Sequence, residues 1–258
     1  MYKPMNDDIS PWPGRIALAG VLCALAALMI AGLAGPAHRL GLLATESAVA
    51  LTLFAAVPGL LALVAGVLVL VMFRQASVGA LRLQAVAALV IGLVVCGVFS
   101  LWVNKASSLP PIHDISTDTE DPPLFEALLG RRGDAANPAD YAGQAAASAQ
   151  KRAYANVSTL YTSVSCEGVL AAAETVAGQM GWEIVASSEG NGAECRLEAI
   201  ARTGWFGFYD DVVVRGRDNG YETAVDVRAK ARMGASDLGR NAAKIIEFQD
   251  RLKTELGE

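Results

Sequence analysis

The residues of this sequence best equipped for chemistry gather in its last quarter. Asp210, Asp211, Arg215, Asp226, Arg228, Arg232, Asp237 and Asn241 lie close together in the chain, and His113-Asp114 stands well upstream. Carboxylates beside arginines can serve as general acid and base, or hold a cation. The same residues have a plainer reading. Opposite charges facing each other across paired strands fix register, at about 0.2–1 kcal/mol a pair. Asp237 falls where a helix begins, and a negative charge there suits the helix dipole. No Ser-His-Asp set, glycine-rich phosphate loop or metal-ligand spacing accompanies the cluster. The four cysteines include no Cys-x-x-Cys pair. No metal and no cofactor is expected, and a structural role is favoured for each charge.

These side chains need a frame, and the frame starts at Asn219-Gly220, a strong signal for a two-residue hairpin loop. That loop sets Asp218 opposite Tyr221, Val213 opposite Asp226 and Asp211 opposite Arg228, with Asp226 diagonal to Arg215. One face then carries Val212, Val214, Val225 and Val227, and the other carries the charges. Alternation this clean marks one buried face and one that is wet or occupied. Upstream, Leu160–Val164 reads as a strand, and Ser163 or Ser165 caps a helix whose apolar face includes Val169, Leu170, Ala173 and Val176. Gly181 ends that helix. Trp182–Ala186 and Cys195–Arg202 read as strands, and Ser236 caps a final helix with Leu238, Ala242, Ile245, Gln249 and Leu252 in one stripe. The order β-α-β-β-β-β-α predicts an α+β domain: one antiparallel sheet, both helices on its apolar face, the charged face open. Cys166 and Cys195 both point inward, which makes them a candidate disulfide outside the cytoplasm, or else a pair of buried thiols.

The rest of the chain is of another kind. Hydrophobic residues make up 53% of the sequence, above the ordinary share for a soluble domain. The excess sits in three uncharged blocks, Ile16–Ala34, Ala48–Phe73 and Ala85–Val103, each long enough or nearly so to cross a bilayer. Pro58-Gly59 predicts a kink in the second. The leader before Ile16 carries Asp7 and Asp8, which disfavours a cleaved signal peptide. Lys3, Arg15, Arg74 and Arg82 fall on one side of these spans, and Arg39 and Lys105 on the other. The positive-inside rule then puts the N-terminus in the cytoplasm and the C-terminal domain outside. No Asp, Glu, Lys, Arg or His lies within a block, unlike the spans of pumps and ion-coupled transporters. Ala88, Gly92 and Cys96 form a small-residue stripe, a helix-packing face turned to this chain's own helices or to a partner.

Between anchor and domain, Ser107–Pro123 is proline-rich and acidic. Its Asp114, Ser116, Asp118 and Glu120 alternate as in a calcium loop, but Thr119 and Phe125 stand where glycine and glutamate are needed. It reads as an extended strap, and Ala135–Arg152 as a short helix or arm. The expected organisation is a three-helix anchor over 1–105, a linker over 106–156 and a soluble α+β domain over 157–258. The net charge of −5 argues against nucleic acid.

The segments Ile112–Asp118, Gly181-Trp182, Gly207–Arg215 and Val225–Ile245 resemble the domain of unknown function 1499 family, over about Pro110 to Leu252. That pattern carries serines after Asp-Val-Arg and an arginine near Lys244; here Ala229, Lys230, Ala231 and Lys244 depart from it. The resemblance implies no activity, but membrane helices or a lipid anchor often accompany this family. The expected protein is an inner-membrane chain of bacterial type with a periplasmic domain. Its partners would be membrane lipid and a membrane-protein complex that it serves as a non-enzymatic accessory subunit. A small-ligand or lipid-binding domain and a carboxylate hydrolase are the alternatives.

Overall fold

A computed structural model describes residues 12–72, 79–133, 135–190 and 193–258. Lys3, Asp7, Asp8, Phe73 and Arg74 lie outside the described residues. The chain divides into two compact units, Met1–Asn104 and Lys105–Glu258.

The first unit is helical. Three stretches are long and apolar enough to cross a membrane: Trp12–Arg39, Thr45–Met72 and Gly79–Ser108. The first is α1 and the last is α4. The middle one breaks at Ala55 into α2 (Thr45–Phe54) and α3 (Ala56–Met72). Pro58 explains the break, because its ring excludes the carbonyl four residues back and it has no N–H to give. It sits in the first turn of α3, where no intrahelical donor is needed. Glycines allow close helix contact. A Cβ on Gly92 would lie 2.5 Å from the Leu63 nitrogen and 2.7 Å from the Gly59 oxygen, so α4 rests directly on the α3 backbone. Ala88 is buried on the same stripe and Cys96 is half-buried.

The second unit is one antiparallel sheet whose apolar face is covered mainly by two of its three helices. The spatial order is β1 (Asp114–Ser116), β6 (Thr223–Ala231), β5 (Tyr209–Asp218), β4 (Glu194–Arg202), β3 (Glu183–Glu189). β2 (Leu160–Thr162) also pairs with β6, so β1 and β2 lie end to end along the same edge. The helices are α5 (Gly143–Ala153), α6 (Cys166–Gln179) and α7 (Arg240–Leu256), with a 3₁₀ turn at Ala127–Arg131. Val212, Val214, Val225 and Val227 face a core closed by Val169, Val176, Ile245, Phe248 and Leu252. Trp182 stacks on Phe248 at 5.1 Å between ring centres. The expected β-α-β-β-β-β-α order is present, with β1 and α5 added in front.

Three local expectations are corrected. The β5–β6 loop has four residues, not two, because the Asn219 side chain accepts from the Tyr221 and Glu222 backbone N–H groups and builds an Asx turn. Every facing pair shifts by two: Arg215 lies opposite Asp226, Asp211 opposite Lys230 and Val213 opposite Arg228. Second, Ser236 does not cap α7. Asp237 accepts from the Gly239 and Asn241 nitrogens, and Leu238, at φ +55°, lies outside the helix. Third, the charged face is not open. Asp114, Asp211, Asp226 and Arg228 are each 0% exposed, covered by the strap that runs from β1 to α5.

Candidate functional site: buried charges beneath a strap

Strand parity divides the sequence-predicted cluster between opposite faces of the sheet. Asp211, Arg215, Asp226, Arg228 and Arg232 point to the strap side, where Asp114 joins them. Asp210, Asp237 and Asn241 lie on the helix side, at the start of α7. They form two sites.

Asp114 is the hub of the strap side. It takes the Arg228 fork at 2.9 and 3.0 Å, Lys230 Nζ at 2.9 Å and the Ala142 backbone N–H at 3.0 Å. Arg228 spends its other donors on the carbonyls of Pro123 and Ala139, and its guanidinium lies 4.5 Å from the Phe125 ring centre. One arginine thus ties the sheet to the strap at two places. Burial pulls the Lys230 pKa down, against the Asp114 charge that holds the ammonium. Tyr141 packs over Arg228, and burial, with Asp114 nearby, pushes its hydroxyl pKa up to about 12.

Asp211 is held by Arg132 from the strap and by Arg232, whose Nε and Nη2 reach it at 2.9 and 2.7 Å. Asp226 accepts from Thr117 and Thr159 hydroxyls and from Arg215 and Arg217. The same two arginines continue to Asp118 and Asp121 of the strap. Glu198 accepts the backbone N–H groups of Glu126, Ala127 and Leu128, which anchors the 3₁₀ turn. Phe125 and Leu128 fill the remaining space against Ile200 and Val213. Gln150 of α5 accepts from Ser116 N and donates to Ser116 O, acting as one residue of an added strand.

On the helix side, Asp210 meets Lys244 Nζ at 2.6 Å, with Arg240 at 3.6 Å. Its Oδ1 makes no hydrogen bond. Asn241 donates to the His113 carbonyl and accepts from Lys244. Burial raises the Asp237 pKa and lowers that of Lys244. The His113 ring lies 3.4 Å from the Ala235 oxygen and takes no further part. Among the described residues, no group of three or more His, Cys, Asp or Glu could hold a metal ion.

Sequence reasoning missed Arg132, Glu198, Lys230, Lys244 and Gln150. Lys230 shares the parity of Arg228, and Glu198 is a charge on the strap-facing side of β4, so both were open to a parity argument. Arg132 and Gln150 gave no such signal. Cys166 and Cys195 are free buried thiols. Both sulfurs crowd the same spot beside Gly216, and burial, with Cys166 alongside, raises the Cys195 pKa. A Cβ on Gly216 would collide with both sulfurs, so glycine there makes room for the pair.

What the arrangement can do follows from what is left over. Asp114, Asp211 and Asp226 are each 0% exposed beneath the strap and each is engaged by at least two cations, so none is placed to exchange a proton with a substrate. Fold and site together define an α+β domain following a set of apolar, membrane-type helices, with its charges turned inward as a fastening. The family described as Protein of unknown function (DUF1499) matches residues 114–252. The chain belongs to that family, and the match begins at Asp114, the hub of the fastening. No curated protein and no solved structure matches the chain.

Proposed function

We propose that this chain is a non-enzymatic accessory subunit of a membrane complex, held in a bacterial inner membrane with its domain on the periplasmic side. The observation that carries this reading is the saturation of the buried charges. Asp114 takes four donors, and the arginine it grips fastens the strap by two carbonyls. Charges that hold a rigid domain closed serve contact with partners better than turnover. The apolar blocks within the spans agree, since they carry none of the charged side chains or histidines that pumps and ion-coupled transporters use at depth. Phe125 and Leu128 of the strap pack on Ile200 and Val213, which favours this reading over an enclosed ligand pocket on that face. Asp210 is the remaining candidate for hydrolysis, and its role is read as the anchor for Lys244.

Solubilised from its host membrane in mild detergent, the full chain should run with a stoichiometric second protein and crosslink to it in place. Recovery of the chain alone after in-membrane crosslinking would refute the accessory role. Asp210→Asn should support host growth as wild type does; a folded Asp210→Asn chain that fails would argue for hydrolysis. A protease site after Glu258 should be cut in intact spheroplasts.

A further inference from the structure

The β4–β5 connection is an aromatic tip. Thr203–Phe208 joins Arg202 to Tyr209 across paired strand ends. The loop is fastened by the Thr203 N–H to the Phe208 carbonyl, the Gly207 N–H to the Thr203 carbonyl and the Phe208 N–H to the Thr203 hydroxyl. Phe206 and Phe208 stack at 4.9 Å. Trp205 is 53% exposed and Tyr209 is 42% exposed. Of the domain's two tryptophans, Trp182 is buried in the core and Trp205 is held out on a fixed loop, at a real solvation cost.

The topology places this tip. Tyr209 O accepts from Arg232 N, and His113 O accepts from Ala231 N. His113, the end of β6 and the start of β5 therefore lie side by side at one end of the sheet, about 10 Å across at the usual strand spacing. His113 follows the end of α4, at Ser108, by a tether of a few residues that can reach no more than about 18 Å. The third apolar helix thus hands its chain to the end of the sheet that carries the tip. Charge is graded the same way. The opposite end bears exposed Glu189, Glu194, Glu222 and Glu258. The near end bears exposed Arg202 beside the tip and Arg131 paired with Glu183. Its Asp140 is exposed too, and its Asp210 is neutralised by Lys244.

We propose that the Thr203–Phe208 tip is a membrane-surface contact. Trp205 lies in the interfacial zone of the bilayer that holds the chain's own helices, and Arg202 lies level with lipid phosphates. Indole rings favour that zone, and arginine favours phosphate. The acidic end then faces away from an anionic surface. This contact rests on the reading of the apolar helices as membrane spans, and it adds a second hold that fixes the domain's tilt.

The test uses the full chain in nanodiscs of phosphatidylcholine and phosphatidylglycerol, with and without bromine on acyl carbons 6 and 7. The emission of wild type minus that of Trp205→Phe isolates Trp205. Its emission should be blue-shifted and should fall by about half with brominated lipid. A Trp12→Phe/Trp102→Phe chain, which leaves the domain untouched, reads the same quantity from Trp182 and Trp205 alone. Residual emission of Trp205→Phe that is quenched, with a Trp205 component that is not, overturns the tip contact and leaves the spans standing. Failure of both components to respond overturns the spans and the contact together. A blue-shifted Trp205 untouched by bromine means that protein covers it, which also overturns the contact.

Discussion

Asp114→Asn tests the fastening most sharply. The substitution keeps the shape and removes one negative charge. In wild type that charge faces Arg228 and Lys230, which are 0% and 1% exposed. The neutral amide has one acceptor oxygen for four donors at 2.9–3.0 Å, and its NH₂ group would point at a guanidinium or an ammonium. Two buried cations then lack a counterion, and breaking a buried pair in this way costs about 3–5 kcal/mol. In a domain of this size that lowers the thermal midpoint by about 6–20 °C. The assay is thermal unfolding of the full chain in detergent, with amide exchange read over residues 117–142. Exchange should rise across the strap before the core opens, because Arg228 carries both Pro123 and Ala139. Arg228→Met alone should cost less, since Lys230 still answers Asp114. Asp114→Leu combined with Arg228→Met and Lys230→Met should recover much of the loss, as well-packed apolar replacements for buried ions often do. A shift under 3 °C for Asp114→Asn with unchanged strap exchange would refute the reasoning.

Three further outcomes follow from the geometry. Gly92→Val drives a branched side chain into the α3 backbone and should loosen α3 from α4, costing about 1–3 kcal/mol; cysteine crosslinking between Leu63 and Leu89 positions reads the separation. Delivered to an oxidising compartment, Cys166 and Cys195 should close a disulfide, losing two protons and two electrons to a thiol–disulfide oxidoreductase; the bridged loop is worth about 3.6 kcal/mol, and a chain whose mass and midpoint ignore reductant would exclude the bond. Asp118 is the acid-sensitive end of the strap. Burial alone would raise its pKa, but the Asp121 and Glu120 N–H groups and Arg217 prevail and hold it below 3.8. Its folded value is depressed, so its contribution is present above pH 3.8 and is lost as pH falls through the folded value. Asp118→Asn should therefore flatten acid-induced strap exchange in that window.

Parity was the most durable signal in the sequence. The hairpin register slipped by two because Asn219 folds its own side chain into the turn, but an even slip keeps each residue on its face. Val212 and Val227 were therefore placed correctly toward the helices, while the partner of Asp211 was not. The closed charged face was invisible for a different reason. Arg228, Lys230 and Arg232 are satisfied partly by the carbonyls of Pro123, Ala139, Asp140 and Arg131, and a carbonyl carries no residue identity that a pattern can reveal. β1 was hidden by distance, since three residues of a proline-rich stretch find their strand partner only at Arg228–Lys230.

That distance governs how the molecule is made. Asp114 is the first sheet residue to follow the third apolar helix, and its partners Arg228 and Lys230 are synthesised 114 and 116 residues later. Until β6 arrives, β1 has no strand to pair with, and Asp114 and Asp211 lack the cations that residues 228, 230 and 232 will bring. Closure of the strap therefore waits for β6, so a chain cut short before Thr223 keeps its apolar helices but loses β6, α7 and the fastening altogether.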